Sequence, residues 1–119
     1  MSFGNIKPGE GPDLPPGDKV FTAAELAQYN GESEGKPIYL AVKGVVYDVT
    51  KSAQMYGPTG GYKNFAGKDA SMALGKSSTK IEDCVGDYST LSAEQLDVLN
   101  KWEAFFKKKY NILGTVARS

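Results

Sequence analysis

The 119-residue chain has no histidine, one cysteine and one tryptophan, and its 14 basic residues are offset by 14 acidic ones. Each shortage excludes something. Without histidine there is no base for a hydrolase triad. A single cysteine forbids an internal disulfide and agrees with a reducing compartment. One cysteine and no histidine also leave too few soft ligands for a structural zinc site. Cys84 stands among Glu82, Asp83 and Asp87, whose charge disfavours a thiolate, so it reads as incidental rather than as a nucleophile. A net charge of zero argues against binding nucleic acid through phosphates. No window approaches the roughly 18 consecutive apolar residues of a spanning helix. Position 2 is Ser2, not the glycine that a myristoylation signal needs; the chain ends without a prenylation cysteine, and its start lacks an apolar signal stretch. The expectation is a cytoplasmic protein with no anchor of its own and no transmembrane segment.

The length suits one domain with one core. Residues 1–19 hold Pro8, Pro12, Pro15 and Pro16, four of the six prolines, and read as a flexible, polyproline-like tail before a domain at 20–119. Thr22-Ala23-Ala24-Glu25 fits a capping box, Phe21 and Leu26 a hydrophobic staple, and Asn30-Gly31 a left-handed stop. Pro37–Val42 and Val45–Thr50, rich in β-branched and aromatic residues and joined by Lys43-Gly44, predict a hairpin. Ile38, Leu40 and Val42 alternate onto one face, as do Tyr47 and Val49. Asp69 is placed to cap a short helix, Ala70 to Leu74, ending at Gly75. Lys76 to Asp87 is polar and irregular.

Ser92-Ala93-Glu94-Gln95 is a second capping box, with Leu91 and Leu96 as its staple. Leu96, Leu99, Trp102 or Glu103, and Phe106 then follow helical spacing, with Phe105 broadening the stripe. Lys107, Lys108 and Lys109 complement the carbonyl end of that helix. Asn111 to Val116 returns as a short strand. Gly75-Lys76-Ser77 looks like the end of a phosphate loop, but position 70 is Ala70 where that motif needs glycine, so a helix end is the better reading.

The chemistry concentrates in Met55-Tyr56-Gly57-Pro58-Thr59-Gly60-Gly61-Tyr62-Lys63-Asn64-Phe65. A tyrosine in such a place is ordinarily a core residue with its hydroxyl at the surface. The alternative comes from the Gly57–Gly61 run, which strips side chains from the backbone before Tyr62 and leaves room for something flat and large. Phenolate is a hard oxygen donor suited to ferric iron, and tyrosine is among the axial ligands of haem. A second tyrosine and nearby lysines can stabilise phenolate or pair with propionates.

Val45-Val46-Tyr47-Asp48-Val49-Thr50, the glycine-rich loop and Phe65-Ala66-Gly67-Lys68-Asp69-Ala70-Ser71 together resemble the cytochrome b5-like haem/steroid-binding domain. The branch they are most similar to is the membrane-associated progesterone receptor family. The likeness runs from about Phe21 to Val116 and includes Trp102-Glu103 and Lys109-Tyr110; the segment Lys76 to Leu91 is short and the usual membrane anchor is missing. It implies an α+β, cytochrome b5-like fold, a small mixed sheet with short helices framing a haem or ligand groove. Cytochromes b5 proper hold haem between two histidines, which this chain cannot do. In the progesterone-receptor branch a tyrosine after the loop is the single axial ligand, and the matching position is Tyr62, with Tyr56, Lys109 and Tyr110 in support. The resemblance further implies haem b (iron protoporphyrin IX) in a five-coordinate ferric state. It implies a non-enzymatic haem carrier or sensor, a partnership with cytochrome P450 enzymes and sterol metabolism, a steroid ligand, and a peripheral place at the endoplasmic reticulum membrane. An open haem face makes a haem-mediated homodimer a further expectation. The competing readings are a haem-independent steroid- or lipid-binding domain and a protein-interaction domain whose tyrosines are core.

Overall fold

The computed structural model describes residues 15–32 and 35–117. The tail expected at 1–19 lies outside the described residues as far as residue 14, as do residues 33 and 34 of the polar loop after Gly31. Strand β1 (Lys19–Phe21) is followed by helix α1 (Ala23–Ala27), strands β2 (Tyr39–Val42) and β3 (Val45–Asp48), helices α2 (Ala53–Tyr56), α3 (Ser71–Lys76) and α4 (Ala93–Lys109), and strand β4 (Asn111–Val116).

The hairpin forms as its alternation predicts. Lys43 and Gly44 both take positive φ, the conformation a two-residue hairpin turn of matching twist requires. β2 and β3 pair antiparallel with Leu40 opposite Tyr47. Ile38, Leu40, Val42, Tyr47 and Val49 face one cluster. Ala41 and Val46 face another with Phe21 and Leu26, so the hairpin is buried on both sides. The sheet order is β1-β4-β3-β2, mixed because β1 runs parallel to β4. The strand at Lys19–Phe21 is not anticipated by the sequence. It is too short to show alternation, and it exists because β4 offers it an edge.

Both capping boxes are present. Thr22 Oγ1 accepts from Glu25 N while Glu25 accepts from Thr22 N. Ser92 and Gln95 repeat the exchange at the start of α4. Phe21 and Leu26 are both buried in one cluster, as a staple requires. The second staple is less complete, since Leu96 is exposed. The buried stripe of α4 is Leu99, Trp102 and Phe106.

Asp69 is not the cap expected of it: α3 begins at Ser71, its N-cap is Ala70, and no side chain caps it. One carboxylate oxygen accepts from Ser71 N at 3.1 Å and the other from Gly44 N at 2.9 Å, tying the start of α3 to the hairpin tip. Gly75 does not end α3 as expected; the helix continues to Lys76, and Ser77 takes the left-handed conformation after it. Gly75 is needed for closeness, because a Cβ there would lie 2.4 Å from Leu91 Cδ1 and 3.2 Å from Gln95 O. Gly75→Ala is expected to cost about 1–3 kcal/mol, the range for overpacking a filled contact. Urea denaturation reads it, and an unchanged midpoint would show that Leu91 simply rotates away.

Tyr47 is wholly buried and its hydroxyl has no hydrogen-bond partner among the described residues. Burial, and then the charge of Glu103, push its pKa up to about 12. An unpaired buried hydroxyl costs about 1–3 kcal/mol. Tyr47→Phe is therefore expected to raise stability by about 1 kcal/mol. In the unfolded chain this phenol ionises near its ordinary value, while in the folded protein it stays neutral to about pH 12. Its contribution is complete below the ordinary phenol range and is lost as pH climbs toward 12. The gain in Tyr47→Phe should accordingly widen between about pH 10 and 12, and equal alkaline losses in both proteins would count against this account.

Candidate functional site

The loop at 55–65 starts where α2 stops. Gly57 N donates to Ala53 O at 2.8 Å, closing the helix, and Tyr62 N donates back to Met55 O at 2.9 Å, folding the chain over itself. The glycines serve this fold more than they open a pocket. A Cβ on Gly60 would lie 2.1 Å from Met55 O, and one on Gly57 2.5 Å from Ala53 O. Only Gly61, directly before Tyr62, faces open space within 4 Å. The expectation that the whole run makes room is thus narrowed to one residue.

Three of the four residues singled out in the sequence belong to one aromatic cluster. The rings of Tyr56 and Tyr62 are 6.0 Å apart. Tyr62 lies nearly parallel to Phe65, with centroids 5.5 Å apart and planes 11° from parallel. Phe106 of α4 sits 6.4 Å from Tyr56 and 5.3 Å from Tyr110, joining loop and helix end. Tyr56 and Tyr110 are buried whereas Tyr62 is half-buried. Lys109, also half-buried, places its ammonium 5.8 Å from the Tyr110 ring centroid and 5.5 Å from that of Phe105.

Two further residues belong to this cluster without any linear signal. Lys51 Nζ is 5.6 Å from the Tyr110 ring centroid, so that ring has two ammonium groups near it. Ser52 is buried, and its Oγ is 2.8 Å from Tyr110 Oη. Thr50–Ser52 form a single 3₁₀ turn leading into α2, and that turn is what brings them here.

Burial holds the Tyr56 hydroxyl far above the ordinary phenol range; the neighbouring phenols of Tyr110 and Tyr62 and a side-chain hydrogen bond with Tyr110 add to it. Tyr56 is thus fixed as a neutral phenol. Tyr62, less buried and next to open space, is the tyrosine better placed to offer its oxygen outward.

These residues fit a haem. The donor set is phenolic oxygen, suited to ferric iron. Phe65 stacks on the Tyr62 ring, and the Lys51 and Lys109 ammonium groups, the kind that pair with carboxylates, stand beside the Tyr110 ring of the same cluster. Among the described residues no group of three or more His, Cys, Asp or Glu could hold a metal ion.

A cavity of about 720 Å³ opens elsewhere, lined by Leu26, Lys43, Asp69, Cys84, Tyr88 and Val116 among others. None of Tyr56, Tyr62, Lys109 and Tyr110 borders it. Cys84 is buried at its wall, and burial, foremost, raises its thiol pKa, which keeps it a thiol as its acidic surroundings predict. No helix among the described residues is long and apolar enough to cross a membrane.

Comparison with known proteins points the same way. The profile of the cytochrome b5-like heme/steroid binding domain matches residues 22–112. A probable steroid-binding protein of Arabidopsis thaliana is 50% identical over 81% of this chain and 96% of its own length. A cytochrome P450 regulator of Schizosaccharomyces pombe is 44% identical over 79% of this chain and 60% of its own. The human membrane-associated progesterone receptor component 2 is 41% identical over 82% of this chain and 45% of its own. The chain spans about half the length of the plant membrane steroid-binding proteins it matches. Among solved structures, a putative steroid-binding protein from Arabidopsis superposes with a TM-score of 0.79 at 48% identity, covering 86% of this chain and 100% of that one.

Proposed function

We propose a function from one established premise: this chain belongs to the cytochrome b5-like haem/steroid-binding domain family, in its membrane-associated progesterone receptor branch. The reading is a non-enzymatic haem-binding module in which Tyr62 is the sole protein ligand of a ferric haem b. The observation that carries it is the contrast between two neighbouring tyrosines, Tyr56 sealed and neutral, Tyr62 half-buried beside the open space at Gly61. When bound, the haem supplies an iron centre that a phenolate holds in the ferric state, with low reduction potential and a free coordination position. The protein's part is to hold Tyr62 against Phe65, keep Tyr56 and Tyr110 as packed phenols behind it, and offer Lys109 and Lys51 to the propionates.

The whole protein then carries, buffers or senses haem, or assists a cytochrome P450 in sterol metabolism. Peripheral association with the endoplasmic reticulum membrane and a dimer formed across the exposed haem belong to the same proposal. Titration of the protein with hemin, followed by visible absorbance, tests it. A stoichiometric high-spin ferric spectrum supports the reading, and a spectrum identical to free hemin in buffer defeats it. Sedimentation of the loaded protein as a monomer at high concentration would remove the dimer.

The second cavity favours one other reading. At about 720 Å³ it lies within the roughly 300–1,000 Å³ of small-molecule sites, and Leu26, Val85 and Val116 give it apolar walls. A steroid or similar rigid apolar molecule could occupy it with no haem present. Equilibrium binding of a radiolabelled steroid to haem-free protein decides this. Binding that survives Tyr62→Phe and is lost in Leu26→Trp would place the steroid in this cavity.

A further inference from the structure

Among the described residues, four charged side chains border the cavity of about 720 Å³: Lys43, Lys68, Asp69 and Asp87. Three of them are already engaged. Asp69 accepts from Gly44 N through one carboxylate oxygen and from Ser71 N and Oγ through the other. Asp87 accepts from Ser89 N at 3.0 Å and from Ser89 Oγ at 2.7 Å. The Lys43 ammonium bonds Asn100 Oδ1, pairs with Glu103 Oε1 at 3.4 Å, and stands 5.9 Å from the Tyr88 ring centroid.

Lys68 is the exception. Its ammonium donates to Asn64 O at 3.1 Å, and among the described residues no carboxylate lies within ion-pairing distance of it. Its backbone is fixed, since Lys68 N donates to Phe65 O at 3.3 Å and Ala41 N of β2 donates to Lys68 O at 2.9 Å. The half-buried side chain borders two spaces. One is the large cavity, walled by Leu26, Val85 and Val116; the other is a smaller pocket of about 260 Å³ with the polar residues Asn30, Glu32 and Asn64. The Lys68 charge also reaches the large cavity's wall: burial, foremost, raises the Cys84 thiol pKa, and Lys68 acts against it. Asp83, whose charge reaches the same thiol, is taken by Lys76 at 3.1 Å. An ammonium has three N–H donors, and Asn64 uses one.

We propose that the cavity binds an amphipathic anion, an apolar body ending in a carboxylate or sulfate, with its head on Lys68 and its body against Leu26, Val85 and Val116. The assignment rests on the reading of this cavity as a ligand site, and narrows it. A neutral steroid would cover the apolar walls and leave the half-buried cation without a counter-charge. An anionic head meets it through charge-assisted hydrogen bonds, roughly twice as strong as neutral ones. Fatty acids and sulfated steroids both carry this chemistry.

Titration of the ¹⁵N-labelled, haem-free protein, read by its amide shifts, tests the proposal with two matched pairs: dodecanoate against dodecanol, and dehydroepiandrosterone sulfate against dehydroepiandrosterone. At least one anion should bind about tenfold more tightly than its neutral counterpart, as a hydrogen bond to a charged group implies. The shifts should fall on Lys68 and residues 84–88. A preference in the first pair names a fatty acid as the occupant, and in the second a sulfated steroid. Lys68→Met should remove the preference and Lys68→Arg keep it, while Ala27→Trp, exposed on the same lining, should block binding altogether. Equal affinities within both pairs of the native protein would overturn the proposal, as would an undiminished preference in Lys68→Met. If the neutral steroid moves these amides as readily as its sulfate, the cavity remains a ligand site and the role of Lys68 falls. If none of the four compounds moves them, both fall.

Discussion

Tyr62→Phe is expected to abolish the high-spin ferric spectrum of the hemin-loaded protein. It should weaken hemin binding by on the order of a hundredfold or more, since changes merely to groups around a metal ligand already cost about 10–100-fold. The phenyl ring keeps the stacking on Phe65 and removes only the oxygen, so the variant isolates ligation from packing. Tyr56→Phe is the matched control. Its hydroxyl is buried and spent on Tyr110, so its loss should disturb stability and leave the ferric spectrum in place. A native spectrum in Tyr62→Phe together with an abolished one in Tyr56→Phe would exchange the two roles and refute the reading from exposure.

Phe106→Ala should produce the largest loss of stability. Phe106 is fully buried and its ring meets those of Tyr47, Tyr56, Trp102, Phe105 and Tyr110. Truncating a core phenylalanine leaves a cavity and costs about 3–5 kcal/mol. That is a large fraction of what a domain of this size has, about 5–15 kcal/mol. The tyrosine site should loosen with it, because Phe106 is what holds Tyr56 of the loop and Tyr110 of the helix end against one another. Urea denaturation measures the first effect and hemin titration the second. A loss below about 1 kcal/mol would mean that the surrounding rings collapse into the gap, as adaptable cores sometimes do.

The parts of this protein legible in the sequence are those determined by neighbours in the chain. The hairpin follows from alternation around Lys43-Gly44, and both capping boxes from four-residue patterns, because the interactions involved span at most a turn or a strand pair. The parts that were not legible depend on distant partners. β1 exists because β4 accepts it. Gly75 is a contact residue for Leu91 and Gln95, although by itself it reads as a helix stop. Leu96 fits the helical stripe in spacing yet is exposed, since the core ends before it. In the candidate site, Tyr56 and Tyr62 stand out through the glycine-rich loop that carries them, whereas Lys109 and Tyr110 could be named because a known family pattern marks them. Lys51 and Ser52 could not, for their meaning comes from a ring more than fifty positions away. The glycine-rich loop looked like an opening and is mostly a tight fold over α2, with Gly61 as the exposed point.

The order of strands also constrains how the chain reaches this state. Of the described strands β4 is made last, and it lies between β1 and β3. Before it is made, β2 and β3 can form a local hairpin on the microsecond scale, but β1 has nothing to pair with. The sheet therefore closes by insertion of its final strand between two earlier pieces, a pairing that spans nearly the whole domain and is slow for that reason. Loss of residues 111–116 would not merely shorten the sheet; it would divide it, and would detach the backbone that follows Tyr110. The candidate tyrosine site and the sheet should thus mature together once residues 111–116 have been made, and hemin binding by a chain cut before them should fail.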